Sequence, residues 1–437
     1  SQRACPLHAE APLNPAASDK LAATAPNAML RQTTRQCRSA LRACPSAVRR
    51  LATMPAESEL RKTPLHAEHL ALGAKMGPFG GWDMPIQYPD GIMKSHLFTR
   101  AKAGLFDVSH MLGVVVRGAD RVAFMESLCT ADIQALPDGS GTLSLLTNEA
   151  GGIIDDMIIT NAGDHLYMVI NAGHEDKDLP HMEAQLSKFV ASGKDASVET
   201  LPNNGILALQ GPAAAEVLQA LTPVDLSQMP FMSARPMEVA GEQCFVARSG
   251  YTGEDGFEIA VPPGGGSQHA VRGLWSTLLE REDVTPVGLG ARDSLRLEAG
   301  LCLYGNDLDD TTSPVEGALA WVIAKRRRAE DGSFCGSDRI LAELRDKSRT
   351  RARCGFVVDQ GAPVREGTAL RDESGAEVGI VTSGGFSPCL KKGIGMCYVT
   401  PGRNKSGTKL LAEVRGKTQS LTVTKMPFVE QRYYRGP

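Results

Sequence analysis

The sequence lacks the features that mark several common classes of protein. No run approaches the roughly 18 uninterrupted apolar residues that a membrane-spanning helix needs, so we predict a soluble protein. None of the ten cysteines is paired in a CxxC spacing, which indicates neither a zinc site nor a disulfide framework. The cysteines are instead typical of reduced, mostly buried thiols in an intracellular compartment.

Acidic residues are absent from one segment near the start of the chain. From Met29 to Pro55 there is no Asp or Glu, and on a helical projection apolar residues fall on one side and arginines on the other. This pattern predicts an organelle presequence. We expect translation to begin at Met29 and cleavage to fall near residues 50–55, within an N-terminal extension of residues 1–61. The alternative is a basic tail that has no targeting role.

The rest of the chain is acidic. The formal net charge of the protein is -3, but beyond residue 62 acidic residues outnumber basic ones by nine. Such a charge repels phosphate groups and argues against nucleic acid as the main partner. With 437 residues, of which 42% are hydrophobic, the chain is long enough for two or three domains with substantial cores.

Residues 142–160 hold the most informative local pattern. Two apolar runs flank the polar, glycine-ended segment 148–152, which predicts a β-hairpin. Side chains alternate along a strand, so each face of the second run carries one Asp among apolar groups: Ile153, Asp155, Met157 and Ile159 on one face, and Ile154, Asp156, Ile158 and Thr160 on the other. Either Asp155 or Asp156 is therefore expected in a sheltered place where its pKa would rise, as in an acid–base catalyst. The alternative is that one bonds the hairpin backbone and the other lies at an edge.

A hairpin followed by a helix occurs twice along the chain. The first hairpin precedes a strand at 165–171 and a helix at 175–190, and a second hairpin at 243–261 precedes a helix at 268–281. This order indicates a duplicated α+β architecture. A charged stretch at 325–333 then predicts a solvated linker, and short β-type runs beyond it favour a small barrel or sandwich.

Five long motifs stand out along the chain: LFDVSHM at 105–111, LTNEAGGIIDD at 146–156, GYTGEDGFEI at 250–259, ARDSLRLEAGLCLYGND at 291–307 and KMPFV at 425–429. With these motifs, residues 62–434 closely resemble the aminomethyltransferase family of the glycine cleavage system, the T-proteins. Chance does not produce so many motifs in the order of one family.

The resemblance implies a fold and a reaction. The implied fold is α+β and three-lobed: two related α+β lobes within residues 62–330 and a small C-terminal β-barrel at 345–437, around a central folate cavity. The implied reaction transfers the methylene of an aminomethyl group from the lipoyl arm of H-protein to tetrahydrofolate. The resemblance implies that tetrahydrofolate is a substrate and that the enzyme uses neither a metal nor a flavin. The implied partners are lipoylated H-protein and the other glycine cleavage proteins, and neither a membrane nor nucleic acid is expected as a partner. The implied location is the mitochondrial matrix.

The resemblance also assigns site residues by position. Asp156 matches the catalytic carboxylate, which would orient the folate, stabilise positive charge and help to move a proton. Glu258 matches the acid that accepts the paired donors of the pterin, and Arg292 matches a ligand-contacting arginine. Other expected cavity residues are Asn171, Tyr251, Trp321, Tyr433, Leu143 and Met111. The tail around Tyr433 departs from the family pattern.

Two nearby polar residues are expected to be structural. His110 is interpreted as structural and Asp107 as a turn or helix cap.

Two other functions are alternatives to the family reaction. A folate-dependent demethylating oxidoreductase would need a flavin-binding domain with a GxGxxG fingerprint, which this sequence lacks. A catalytically silent folate-binding protein is disfavoured because Asp156, Glu258 and Arg292 occur together. The basic cluster 325–328 is a hypothetical contact for the acidic carrier protein.

Overall fold

The structure is a computed structural model that describes residues 60–202, 205–262, 267–329 and 334–437. The predicted presequence lies outside these residues. Within the described ranges, no helix is long and apolar enough to cross a membrane.

Four sheets and a series of short helices make up the described chain. The strands are β1 Lys75–Phe79, β2 Trp82–Gln87, β3 Ala103–Asp107, β4 Leu112–Arg117, β5 Ser140–Thr147, β6 Ile153–Asn161, β7 Leu166–Ile170, β8 Ser197–Leu201, β9 Gly205–Gln210, β10 Ala234–Val239, β11 Glu242–Ala247, β12 Gly256–Val261, β13 Val284–Pro286, β14 Ala352–Val358, β15 Ala369–Arg371, β16 Glu377–Ser387, β17 Lys392–Val399, β18 Lys409–Val414 and β19 Lys417–Thr424. The helices are α1 His66–Ala71, α2 Gly91–Ala101, α3 Arg121–Leu128, α4 Glu175–Ala191, α5 Ala214–Gln219, α6 Ser267–Leu279, α7 Leu289–Glu298, α8 Lys325–Ala329 and α9 Ser337–Asp346.

The first lobe is an antiparallel sheet with the strand order β5-β6-β7-β4-β8. We call the face that packs against α3 and α4 its outer face. Alternate residues of β7 point to this face and have no accessible surface: Leu166, Met168 and Ile170. Helix α4 meets them with an apolar stripe spaced three or four residues apart, which is why this segment is an amphipathic helix: Leu179, Met182, Leu186 and Phe189.

The second lobe is a sheet with the order β10-β11-β12-β9-β3-β13. Only the short β13 pairs in parallel, with β3. Helices α5 and α6 cover one face, and α6 contributes large buried side chains at helical spacing: Val271, Leu274, Trp275 and Leu278. The hairpin β11–β12 followed by α6 agrees with the predicted second hairpin and helix.

The remaining faces of the two sheets look towards each other. Tyr167 and Val169 of β7 pack on a small cluster that holds Phe106, Ala208 and Leu295 of the second lobe and α7. Both β7 residues keep accessible surface, although their neighbours on the outer face have none. The two sheets are therefore packed together only in part. We call the region between them the central cleft; Ile158, Tyr167 and Val169 lie on one side and Phe245 and Glu258 on the other, and all five keep accessible surface.

The C-terminal lobe is a closed barrel with the strand order β14-β17-β16-β15-β18-β19. Its core is apolar and contains Phe356, Leu370 and Leu421. The expected α+β class with a C-terminal barrel is confirmed, while β15 and β19 were not predicted from the sequence. Strand β15 has only three residues, and the first four residues of β19, 417–420, are all polar.

One predicted strand face needs correction. The pairing of β5 with β6 shifts by one residue, since Asp155 lies opposite Leu146 whereas Ile153 lies opposite Thr147. Ile154 is therefore the extra residue of a β-bulge. It packs in the outer cluster, and Ile153 packs in the cluster on the inner side, so the predicted faces of these two residues were wrong. The alternation from Asp155 onwards stands.

The predicted solvated linker at 325–333 was wrong for its described part. Residues 325–329 form α8, and Arg327 is only 2% exposed. Arg326 and Arg327 both pair with the buried Glu126, and Arg328 donates to the carbonyl oxygen of Ile323. The charges of Arg326 and Arg327 are therefore compensated within the chain, whereas Lys325 and Arg328 are exposed, so at most these two charges remain for the hypothetical contact with the carrier protein.

Candidate functional site

Asp156 lies on the inner face of β6, opposite Leu145 of β5. It is half-buried, and its nearest donor is Asn171 Nδ2, at 3.5 Å from Oδ1. Among the described residues this long contact is its one side-chain hydrogen bond. The carboxyl group of Asp156 thus keeps accepting capacity towards the central cleft, where a ligand could use it.

Asp155, the next residue, points to the outer face and has a different environment. It has no accessible surface and accepts hydrogen bonds from Asn171 N at 3.3 Å, Asn171 Nδ2 at 3.0 Å and His174 Nδ1 at 3.3 Å. Burial opposes its ionisation, but the hydrogen bonds from His174, Asp178 and Asn171 hold the pKa of Asp155 below its ordinary value. Asp155 is a fixed negative charge at the start of α4.

The pKa of Asp156 moves in the opposite direction. Burial and then the negative charge of Asp155 raise this pKa to about 7, against the hydrogen bond from Asn171 and the positive charge of Arg353. A carboxyl group with a pKa near neutrality can both give and take a proton under physiological conditions. Environment therefore distinguishes two neighbouring carboxylates that the sequence pattern alone could not.

Glu258 stands on the facing sheet, where β12 places it opposite Ala208 of β9 and Ala247 of β11. It is half-buried, and its Oε2 accepts a hydrogen bond from Ser249 Oγ at 2.6 Å. Burial and then the negative charge of Glu258 raise the pKa of Tyr167, which lies on the first sheet. Glu258 therefore acts across the central cleft on the sheet that carries Asp156.

Arg292 and Tyr251 interact electrostatically with these two acids, Arg292 with Glu258 and Tyr251 with Asp156. The Arg292 guanidinium lies over the Tyr251 ring, with Cζ 4.8 Å from the ring centroid. Its Nη1 is buried and has no acceptor among the described residues, and burial lowers the pKa of Arg292 against the charge of Glu258. The Tyr251 hydroxyl donates to the carbonyl oxygen of Cys302, and burial raises the pKa of Tyr251, with a further contribution from Asp156.

The other predicted site residues fall into two groups. Leu143 lies opposite Ile158 on the inner face of the first sheet, and Met111 packs on the cluster between the sheets. Asn171 joins both aspartates, since its Nδ2 lies 3.0 Å from Asp155 Oδ1 and 3.1 Å from the Asp156 carbonyl oxygen. Leu143 and Asn171 therefore lie near Asp156, and Met111 lies at the cluster between the sheets.

Trp321 and Tyr433 are placed differently. Trp321 lies on a 3₁₀ turn, and its side chain is 67% exposed. Tyr433 stacks on Phe231, with ring centroids 4.0 Å apart and an interplanar angle of 17°. In the described part of the chain, no hydrogen bond or ring contact links either side chain to Asp156, Glu258 or Arg292. The resemblance implied that both side chains line the folate cavity, but their contacts among the described residues do not place them beside the three main site residues.

His110 and Asp107 have structural surroundings. Asp107 accepts a hydrogen bond from Ser109 N at 2.9 Å and contacts His69 Nε2 at 2.9 Å, as expected of a residue that caps a turn. His110 is 3% exposed, lies edge-on to Phe79, and has a pKa lowered to about 4, mainly by burial. A neutral, enclosed histidine is a poor proton acceptor at physiological pH.

Sequence reasoning missed the residues that support the site. Ser249 donates to Glu258, Arg353 of the barrel places a positive charge near Asp156, and His174 and Asp178 surround Asp155. The one signal in the sequence was the spacing of His174 and Asp178, four residues apart at the start of a helix. The other contacts join segments that are far apart in the chain.

Two groups of side chains in the described residues have ligand atoms close enough to hold a cation. They are His96, Glu298 and Cys389, and Asp155, His174 and Asp178, each with ligand atoms within 4.8 Å of one another. A positive side chain already lies beside each group, since Arg100 donates to Glu298 and Lys177 interacts with Asp178. These charges disfavour a metal ion, so we assign neither group as a metal site.

Comparison with known families gives two matches that together span most of the chain. Residues 65–327 match the model of the GCVT N-terminal domain. Residues 351–430 match the model of the glycine cleavage T-protein C-terminal barrel domain.

Individual relatives cover nearly the same span. The chain is 53% identical over 382 residues to the protein named "aminomethyltransferase, mitochondrial" of Pisum sativum, which covers 87% of this chain and 92% of that protein. It is 49% identical over 386 residues to the protein of the same name from Dictyostelium discoideum, covering 86% and 94%. A crystal structure of glycine cleavage system aminomethyltransferase T from Bartonella henselae is 41% identical, with a TM-score of 0.79 over 86% of this chain and 99% of that one.

Proposed function

The chain belongs to the aminomethyltransferase family of the glycine cleavage system, the T-proteins, and from that premise we propose how its own residues carry the reaction. The enzyme transfers the methylene of an aminomethyl group on the lipoyl arm of H-protein to tetrahydrofolate. The products are 5,10-methylenetetrahydrofolate, ammonia and the dihydrolipoyl arm. The chain is mitochondrial, as its named relatives are.

Asp156 is the proposed catalytic carboxylate. As the carbon–sulfur bond to the lipoyl arm breaks, the sulfur leaves as a thiolate that takes up a proton, and the methylene becomes iminium-like with its nitrogen still attached. One folate nitrogen attacks this methylene, and ammonia leaves when the second folate nitrogen bonds to the same carbon. A carboxylate at this point can hold the folate, stabilise the positive charge and accept the proton that the attacking nitrogen loses. The observation that supports this role most directly is the position of Asp156 on the inner face, with one long hydrogen bond and a pKa raised to about 7.

Glu258 and Arg292 are the proposed pterin contacts. The 2-amino group and the neighbouring ring N–H of a pterin form a pair of donors that one carboxylate can accept in a fork geometry. Ser249 occupies one oxygen of Glu258 and fixes the orientation of that carboxylate. Arg292 Nη1 is buried and has no acceptor within the described part of the chain, which suits a contact to an oxygen of the ligand.

The remaining contacts are proposed to shape the folate site. Leu143 and Met111 supply apolar surface, Tyr251 supplies an aromatic face beside Arg292, and Asn171 fixes Asp156. Trp321 and Tyr433 are proposed as contacts at the edge of the site, for the outer part of the folate. The loose placement of these two residues predicts a smaller contribution from each.

Tetrahydrofolate is a substrate of this enzyme, and we expect neither a flavin nor a metal. The methylene carbon leaves a sulfur–carbon–nitrogen group and enters a nitrogen–carbon–nitrogen group, so its oxidation state does not change. The reaction therefore needs no electron acceptor.

The chain works with H-protein and the other components of the glycine cleavage system. Its docking contact with lipoylated H-protein is proposed to be transient. The proposed division is an extension at 1–61, a folate-binding region at 62–330 and a barrel domain at 345–437. Sequencing the N-terminus of the mature protein tests the first boundary, and a terminus upstream of Met29 would contradict it.

The direct experiment measures ammonia release from aminomethyl-loaded H-protein, with and without tetrahydrofolate. We expect a rate that depends on tetrahydrofolate and a matching yield of 5,10-methylenetetrahydrofolate. The matched control is H-protein that carries the unloaded lipoyl arm, which should give no ammonia. A rate that does not respond to tetrahydrofolate would reject the proposal.

A further inference from the structure

A second buried carboxyl group, that of Asp178, lies behind the proposed catalytic site and receives no hydrogen bond from any residue that the structure describes. Asp178 of α4 has no accessible surface, and neither of its oxygens accepts a hydrogen bond from a donor group in the described part of the chain. An ionised carboxylate in such a place would lose its hydration without compensation. The simplest way to satisfy Asp178 is to keep it protonated, because a carboxylic acid is itself a donor.

Asp155 is the acceptor that such a donor would reach. The ligand atoms of Asp155, His174 and Asp178 lie within 4.8 Å of one another, on facing surfaces of β6 and the first turns of α4. Burial and then the negative charge of Asp155 raise the pKa of Asp178 to about 9, against the positive charge of Lys177. The pKa of Asp155 moves down in part because Asp178 donates to it. Both shifts favour a proton on Asp178 rather than on Asp155.

The charge of Asp155 matters to the reaction because Asp156 is its neighbour. That charge is the second cause, after burial, of the raised pKa of Asp156, and the amide of Asn171 touches both residues. Other charged or titratable groups face this cluster from the helix, the 304–310 loop, the residues before that loop and the barrel: His174, Lys177, Tyr304, Asp309, Asp310, Tyr251, Cys302 and Arg353. Among them His174 also donates to Asp155, through Nδ1 at 3.3 Å, so Asp178 would add a further donor to the same carboxylate.

We propose that Asp178 is a positioning residue of the catalytic site: its protonated carboxyl group donates a hydrogen bond to Asp155 and so keeps Asp155 charged and fixed behind Asp156. The inference rests on the proposed role of Asp156. Asp178 lies on α4 and faces the outer side of β6. It acts on the reaction only through Asp155.

Infrared difference spectroscopy of the protein without substrates tests the protonation directly. At about pH 8, where Asp156 is mostly ionised, the parent should show the carbonyl stretch of a neutral carboxylic acid. Asp178→Asn should lose this band, and Asp156→Asn should retain it. The band should titrate near the pKa of Asp178, about 9. A parent without the band, or an Asp178→Asn variant that keeps it, would overturn the proposal, whatever the fate of the proposed function.

Kinetics separate positioning from a purely structural role. Asp178→Asn keeps a donor to Asp155 at every pH, so we expect its kcat within about twofold of the parent and a flatter alkaline limb of the pH profile. Asp178→Leu removes the donor, and we expect kcat to fall about tenfold while the KM for tetrahydrofolate stays nearly constant. Equal kcat in the parent and Asp178→Leu, or an unchanged alkaline limb in Asp178→Asn, would contradict the proposal.

Elemental analysis of the purified protein gives a further check. We expect no divalent ion bound in proportion to the chain at this cluster. One ion per chain in the parent, absent from Asp178→Asn, would overturn the proposal, because a cation would then take the place of the proton. If Asp178→Leu fails to fold, the infrared comparison still decides, since Asp178→Asn preserves the size and polarity of the side chain.

Discussion

The two faces of the first sheet present the same kind of side chain to opposite environments. On the outer face, α4 closes over β6, and Asp155 is held by two donors of Asn171 and one of His174. On the inner face, Asp156 looks into the central cleft with one long hydrogen bond. The pKa of Asp155 falls and that of Asp156 rises to about 7, although the two are adjacent in sequence.

The comparison teaches that the closed face sets the chemistry of the open one. The donors beside a packed helix are fixed in place, so they can keep a buried carboxylate ionised. That fixed charge then raises the proton affinity of the carboxyl group on the other face. The closed face supplies a negative charge, and on the open face the carboxyl group of Asp156 keeps accepting capacity for a substrate.

The largest effect should come from removing the carboxylate on the open face. In Asp156→Asn the side chain keeps its size but can neither accept a proton nor stabilise a positive charge as well. We expect kcat to fall by about 10²-fold or more, with the KM for tetrahydrofolate nearly unchanged. Steady-state ammonia release measures both constants. A variant as active as the parent would show that the open face does not carry the chemistry.

The second effect tests the opposite wall of the central cleft. Glu258→Ala removes the proposed acceptor of the pterin donors, so we expect the dissociation constant of tetrahydrofolate to rise about tenfold or more. Ser249→Ala is the matched control, since it leaves the carboxylate but removes the hydrogen bond that orients it. We expect this control to weaken binding by about threefold. Calorimetric titration that finds the same affinity in Glu258→Ala and the parent would exclude the pterin contact.

The third prediction breaks the coupling between the faces. Asp155→Asn removes a negative charge beside Asp156, so the pKa of Asp156 should fall from about 7 towards its ordinary value. If ionised Asp156 is the active form, kcat rises with pH through this pKa, and the rise should move to lower pH by about one unit. Asp176→Asn, an exposed acid on the same helix, should leave the profile in place. A profile that does not move in Asp155→Asn would mean that the two carboxylates titrate independently.

Local patterns in the sequence predicted the open face in part. The alternation from Asp155 onwards correctly placed the two acids on opposite faces, and family motifs named Asp156, Glu258 and Arg292. The bulge at Ile154 could not be predicted, because it follows from a distant contact in which Ile153 N donates to Thr312 O. At the same turn, a side chain at Gly152 would collide with the carbonyl oxygen of Asp310.

The closed face was harder to predict because its contacts depend on tertiary packing. His174 and Asp178 are polar residues at the start of α4, where polar residues normally face solvent. Only the packing of α4 on β6 shows that Asp178 is buried against Asp155. Arg353 reaches the site from the barrel, and no local pattern connects it with Asp156.

The smallest effect should lie at the edge of the open face, where sequence and structure differ most. Trp321 matches a cavity position of the family, yet its side chain is 67% exposed. An exposed ring that contacts the outer part of the folate contributes about 0.5–1.5 kcal/mol, so Trp321→Ala should raise the KM for tetrahydrofolate by about threefold and leave kcat unchanged. Phe386→Ala, a change of another exposed aromatic residue on the barrel, is the matched control and should leave both constants unchanged. If Trp321→Ala weakens binding as strongly as Glu258→Ala does, the indole must turn inwards when folate binds, and the open face extends further than the exposed position of Trp321 indicates.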